Sequence, residues 1–257
     1  MLASDYQTQR TEDLMEQGRM AGKRALVVGG SPGIGSTIAE RFRDEGADVV
    51  VADLHGGDVE VDVRDVSLLA RAVDQAVERL DGLDTLIYNA GVVPVGGVES
   101  IDVAAWSDAM RINVDGAFAS ARAAWPHLKD GGGAILATAS GAGIRAMPDR
   151  IGYCTSKAAL VMLTQCLALE GAPYGVRANA VCPGFVDTPS MRRSLEEAPD
   201  PDHVLEYMAL LHPIGRMGVP RDVADAFVYL ASDEAAWVTG VILPVDGGLT
   251  AGLRLGT

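Results

Sequence analysis

Tyr153 and Lys157 stand four residues apart in the run Tyr153-Cys-Thr-Ser-Lys157. On a helix that spacing puts a phenol and an ammonium on one face. A cation there stabilises phenolate, so a tyrosine that otherwise titrates near about 10 can exchange a proton closer to neutrality. The same spacing also suits a surface helix with a half-buried tyrosine beside a snorkelling lysine, so its surroundings must decide. Ser140 lies thirteen residues before Tyr153, at the end of an apolar run. Its hydroxyl suits a hydrogen bond to a substrate oxygen, or simply the capping of a strand end. A third group is the loop Gly29-Gly-Ser31-Pro-Gly33-Ile34-Gly35, spaced G-x-x-x-G-x-G. Glycines there let the backbone turn sharply and approach a pyrophosphate held at a helix N-terminus. Asp53 closes the next apolar run and no arginine stands beside it in Leu54-His55. Its carboxylate can accept both adenosine ribose hydroxyls and repels a 2′-phosphate, which favours NAD over NADP; the plainer reading is a solvated turn aspartate.

These groups need elements to hold them. Arg24 to Gly29 is a short apolar run bounded by glycine, and Ile34 to Glu45 follows with helical spacing of Ile38, Ala39 and Phe42, a β-turn-α opening. The same reading predicts strands over 48–53, 83–88, 134–139, 176–182 and 241–245. It predicts helices over 68–80, 102–125 (stopping before Pro126), 151–172 and 220–231. Sustained alternation argues for an α/β fold, a doubly wound parallel sheet of Rossmann type, in a single domain over 21–257. Residues 1–20 are polar and are expected to lie outside it, disordered or as a short helix. Residues 184–215 carry Pro189, Pro199, Pro201 and Pro213 and read as a lid. One oddity is that only Leu54 to Asp58 separates the second strand from a short strand over 59–63, where a crossover helix is usual; the Gly56-Gly57 pair makes a tight connection feasible.

Composition excludes several functions. The chain has 257 residues, 48% of them apolar, enough for a sizeable core, and a net charge of -14 that disfavours nucleic acid and anionic membranes as partners. Three cysteines, Cys154, Cys166 and Cys182, have no metal-like spacing and read as buried free thiols. No metal site is expected. The start, with Asp5, Glu12, Asp13 and Glu16, lacks the apolar core of a signal peptide, and a cytoplasmic protein is expected.

Taken in order, these motifs resemble the short-chain dehydrogenase/reductase family from about Lys23 onward. Asn89-Ala90-Gly91 resembles the family's turn after the third long strand, and Asp62-Val63 its adenine-contacting pair. Asn113, Ser140, Tyr153 and Lys157 match its catalytic tetrad. Pro183-Gly184-Phe-Val186-Asp-Thr188 resembles its nicotinamide-side motif, and Gly215-Arg216, Val238-Thr-Gly240 and Val245-Asp-Gly-Gly248 its C-terminal signature. The resemblance implies that Lys157 also binds the nicotinamide ribose and that Asn113 holds a proton-relaying water. It implies a homotetramer or dimer through the helices after Asp102 and Ile151. Val28 departs from it, standing where a threonine is usual.

The substrate is less legible. Val92 to Val95, Ile144, Phe185, Met191, Leu195 and Met208 could line an apolar pocket or pack in the core. Arg150, three residues before Tyr153, matches a position where relatives acting on hydroxy acids can carry a cation; it pairs with a substrate carboxylate or is a solvated arginine. His203 and His212 show no metal spacing and read as ordinary lid residues. The expectation is an NAD(H)-dependent oxidoreductase interconverting a secondary alcohol and a ketone, with Tyr153 as acid/base. The rivals are an NADPH-dependent 3-oxoacyl reductase and a catalytically silent nucleotide-binding scaffold.

Overall fold

Runs rich in Val, Ile, Leu and Ala form β1 (Arg24–Val28), β2 (Asp48–Asp53), β3 (Val59–Glu60), β4 (Thr85–Tyr88), β5 (Gly133–Thr138), β6 (Val176–Pro183) and β7 (Ile242–Val245). The computed structural model describes residues 18–196 and 198–252, and within them these strands lie parallel in one sheet of order β3-β2-β1-β4-β5-β6-β7. Parallel strands need crossovers. These are α1 (Ile34–Asp44), α2 (Val66–Leu80), α3 (Val103–Met110), α4 (Gly116–Lys129), α5 (Ile151–Gly171) and α8 (Pro220–Ala231). Two short helices, α6 (Pro189–Ser194) and α7 (Pro201–Leu211), occupy the lid region.

Each face of the sheet has its own core. Under α2, α4 and α5 lie Leu69, Val73, Leu86, Leu128 and Leu160; under α1 and α8 lie Ile38, Phe42, Ile87 and Phe227. Burying one such side chain stabilises by about 1.5–3 kcal/mol, so the two layers dominate the fold's stability. This is the doubly wound single domain expected. The chain winds outward from β1 to β3, then returns to β4 at the centre, so the order reverses between β1 and β4. The crevice at the carboxyl ends of those two strands is where such folds bind ligands.

Several local expectations change. The packed body begins before residue 21: Met20 is fully buried and Arg19 pairs with Glu234, while residues 1–17 lie outside the described ones. α2 starts at Val66 because the Asp65 carboxylate caps the Ser67 and Leu68 amides. β3 shrinks to two residues, and the tight β2–β3 return requires Gly57, where a Cβ would sit 2.9 Å from the Asp53 amide and the Val51 carbonyl. The long helix expected over 102–125 is broken by a π turn (Arg111–Asp115) and then runs through Pro126 to Lys129. Pro126 removes one N–H near the helix end, but Leu128 is fully buried and holds the last turn to the core. Of the three cysteines only Cys182 is buried; Cys166 is exposed because it faces away from the α5 side that carries Leu160, Thr164 and Ala168.

Candidate active site

The glycine loop joins β1 to α1 at the reversal point. A Cβ on Gly29 (φ 92°) would sit 2.3 Å from the Ala90 amide, and one on Gly35 would sit 1.9 Å from the Gly29 carbonyl. Only glycine lets the loop lie this close to the β4 turn. Asn89 locks the two together, donating from Nδ2 to the Gly29 carbonyl while its Oδ1 accepts from the Thr138 hydroxyl. Ile34 begins α1, so the free N–H groups of its first turn face the loop. Asp53, 7% exposed, turns its carboxylate onto the loop and accepts from the Ser31 amide at 2.8 Å and the Ser31 hydroxyl. The loop, the helix end and this carboxylate form a cradle whose donors suit a pyrophosphate and whose anion suits ribose hydroxyls. Asp62 stands farther along, with Val63 beside it. Both its oxygens bind Arg64, which holds the carboxyl below its ordinary range.

The remaining groups converge from β5, α5 and the π turn. Tyr153 and Lys157 lie on the inward side of α5, with the Lys157 Nζ 5.9 Å from the Tyr153 ring centre. Lys157 is 4% exposed and donates to the Thr138 carbonyl at 2.7 Å. Among the described residues this is its one hydrogen bond, leaving two N–H groups for ribose hydroxyls. Burial pushes its pKa down to about 8. Tyr153 differs from expectation: burial pushes its phenol up, and the neighbouring Ser140 hydroxyl draws it partly back. The Lys157 ammonium, held on the Thr138 carbonyl with its nitrogen 5.9 Å from the ring centre, does not offset that burial. Ser140 caps the short turn after β5 by accepting from the Ala142 amide.

Asn113 is fully buried on the π turn. Its Oδ1 accepts from the Val92 amide at 2.8 Å, and its Nδ2 donates to the Val92 carbonyl and to Ser156 Oγ at 2.9 Å. Tyr88 explains the turn. Its hydroxyl donates to the Ile112 carbonyl, which opens the helical ladder there, and Gly116 leaves it room. A Cβ on Gly91 would sit 3.2 Å from Asn113 Oδ1 and 3.4 Å from Lys157 Nζ, so the two side chains flank one glycine.

Pro183 to Thr188 runs from the end of β6 to the glycine loop, the Thr188 side chain lying 3.4 Å from a Cβ placed on Gly33. Val186 buries its side chain in the core. Its bridge to Gly218 uses the Phe185 carbonyl and the Asp187 amide, so its own N–H and C=O point to the opposite edge. Val92, Val93, Val95 and Ile144 are exposed, which removes core packing as their explanation. They stand on two loops joined by the Gly96–Arg150 bridge. Arg150 is half-buried and donates to the Asp149 carbonyl, Phe185 packs on His212, and Met191 gives its amide to Thr188 Oγ1. Sequence reasoning did not single out Thr138, Ser156 or Tyr88, whose roles rest on partners far along the chain, and it undervalued His212. Among the described residues no three His, Cys, Asp or Glu side chains gather as a metal site.

A family model described as enoyl-(acyl carrier protein) reductase matches residues 29–250. The chain is 37% identical to the 2,5-dichloro-2,5-cyclohexadiene-1,4-diol dehydrogenase of Sphingobium indicum, covering 91% of this chain and 99% of that protein. It is 34% identical to the trans-4-hydroxycyclohexanecarboxylate dehydrogenase of Sinomonas cyclohexanicum, covering 92% and 96%. The aldohexose dehydrogenase of Thermoplasma acidophilum, in ligand-free form, superposes with a TM-score of 0.88 at 32% identity, covering 93% of this chain and 98% of that one.

Proposed function

Because the chain belongs to the short-chain dehydrogenase/reductase family and is an oxidoreductase of that kind, we propose that it interconverts a secondary alcohol and a ketone with NAD(H), using Tyr153 as acid/base. The observation that carries this is the convergence of Tyr153, Lys157 and Ser140 beside the glycine cradle, at the sheet's reversal point. A bound nicotinamide would accept or donate the hydride at its ring C4. Ser140 holds the substrate oxygen against the Tyr153 phenol, which gives a proton to a carbonyl or takes one from an alcohol. The Lys157 ammonium stabilises the phenolate left by the first reaction and holds the nicotinamide ribose with its two remaining N–H groups. Asn113 leads protons from Lys157 to solvent through a water, and Asp62 and the Val186 main chain meet the adenine and nicotinamide ends.

Asp53 supports NAD over NADP, since a carboxylate fixed on the phosphate loop, with Leu54 and His55 after it, repels a 2′-phosphate. This disfavours the NADPH-dependent 3-oxoacyl reductase reading. The intact tetrad disfavours a silent scaffold. The exposed apolar loops 92–95 and 144 receive the substrate's carbon skeleton, and Arg150, with Phe185 and Met191 across the lid, reads as a contact for a carboxylate-bearing alcohol. Similarity to a hydroxycyclohexanecarboxylate dehydrogenase supports that choice. No described helix is long and apolar enough to cross a membrane, and a cytoplasmic homo-oligomer, tetramer or dimer, fits the reading. A panel of alcohols, with and without a carboxylate, assayed by NADH absorbance with NAD and NADP tests it. Tyr153→Phe is expected to lose about a hundredfold to ten-thousandfold in turnover. Full activity in that variant, or faster turnover with NADP, would refute the proposal.

A further inference from the structure

His212 directly follows α7 and is 1% exposed. Its Nδ1 lies 2.8 Å from the Met208 carbonyl oxygen and its Nε2 lies 3.1 Å from the Phe185 amide nitrogen. A carbonyl oxygen can only accept and a backbone amide can only donate. The ring proton is therefore on Nδ1 and Nε2 is a bare acceptor, which defines one neutral tautomer. The ring also meets the Phe185 ring edge-on at 5.8 Å and packs on Gly247, where a Cβ would lie 3.4 Å from His212 Cβ. A Cβ on Gly184 would lie 2.7 Å from Nε2, so the 184–185 backbone is drawn directly onto the imidazole.

The two segments joined by this ring matter for the site. The span from Pro183 to Thr188 leaves β6 near Ser140 and reaches the glycine loop at Gly33, so it forms one wall of the crevice. α7 contributes no buried residue of its own. It rests on the body through a half-buried stripe of Val204, Leu205, Met208 and Ala209, and His212 at its end is the first residue of this segment to be fully buried.

We propose that His212 is a positioning residue: as the Nδ1-protonated neutral ring it clamps the Gly184–Phe185 backbone to α7 and so sets the wall on which the nicotinamide half of NAD is placed. This rests on the cofactor reading above, but the clamp itself can be measured without cofactor. The alternative is a histidine that merely fills space, which either amide replacement would satisfy equally.

Amides separate the two contacts, since Gln reaches as far as Nε2 and Asn only as far as Nδ1. Hydrogen exchange on ligand-free protein and calorimetric titration with NAD would be run on wild type, His212→Gln, His212→Asn and His212→Ala. His212→Gln is expected to keep the Phe185 amide protected and the NAD Kd within about threefold. His212→Asn and His212→Ala are expected to speed exchange over 184–188 and weaken NAD by about tenfold, the loss of one buried hydrogen bond. Wild-type affinity in all three variants, or Gln as damaging as Ala, would overturn the proposal. If wild type binds no NAD, the cofactor reading fails, and exchange still decides the clamp: unchanged protection over 184–188 in the Ala and Asn variants would overturn it.

Discussion

Lys157 is 4% exposed with one carbonyl partner among the described residues, and burial brings its pKa to about 8. A base whose folded pKa lies below its unfolded value carries a folding penalty that is complete below the folded pKa and fades as pH rises to the unfolded one. The drop from 10.5 to about 8 is worth about 3 kcal/mol at most. Lys157→Met should therefore be inactive yet stabilise the ligand-free protein at pH 7 by about 1–3 kcal/mol in urea unfolding, and the gain should shrink above about pH 8 and be gone only above the unfolded value of 10.5. A lower midpoint at pH 7 would contradict this account. Tyr153 sharpens the same point. With the phenol raised by burial and Lys157 lowered to about 8, the lysine is the first of the two to lose a proton in the ligand-free protein, and the phenolate–ammonium form is the tautomer of that state, populated in step with it. Alcohol oxidation needs that form, so its rate should climb towards pH 8 and then level, whereas ketone reduction needs the fully protonated pair and should fall above it. Two pH profiles that move together would show that the proton sits elsewhere.

The π turn between α3 and α4 exists because the Tyr88 hydroxyl takes the Ile112 carbonyl, and it is this turn that presents Asn113 to Val92 and Ser156. Tyr88→Phe leaves the carbonyl free to rejoin an α-helical ladder, which would rotate Asn113 by about 100°, one residue's worth of helix. The variant should lose about 1–2 kcal/mol in urea unfolding and turn over at least about tenfold slower while binding NAD normally. Unchanged turnover would mean that the turn is incidental. Such couplings limited what could be read beforehand. The β1 to α1 opening and α8 were legible because apolar period and Gly or Pro punctuation are local, and the Tyr153 to Lys157 spacing was legible for the same reason. The passage of α4 through Pro126 was not, because a local rule against proline lost to the burial of Leu128. Thr138 and Ser156 were also missed, and His212 read only as an ordinary lid residue. Their partners lie 19, 43 and 27 residues away, and no local pattern marks such a meeting.

Across the whole molecule, the outward faces of α4 and α5 carry apolar groups that the described residues leave uncovered: Phe118 is 51% exposed, Met162 58% and Leu169 79%. Apolar surface gathered on neighbouring helices marks association sites, and in a symmetric pair the same patch meets itself. Charge opposes this, since each copy carries a net -14. At low ionic strength the copies repel over about 30 Å, and near 0.1 M salt over only about 10 Å. Light scattering after size exclusion should thus give a dimer or tetramer mass at 0.15 M salt, weakening at low salt and persisting at high salt, as apolar contact requires. Leu169→Asp with Met162→Asp should leave monomer. Asp53, Asn113, Ser140, Tyr153 and Lys157 all come from one chain, so the monomer should still bind NAD within about twofold of wild type, because neither substituted side chain reaches the cradle. A wild type that is monomeric at every salt and concentration would end the oligomer reading. A monomer variant that binds no NAD would show instead that α5 needs its neighbour to hold Tyr153 and Lys157 in place.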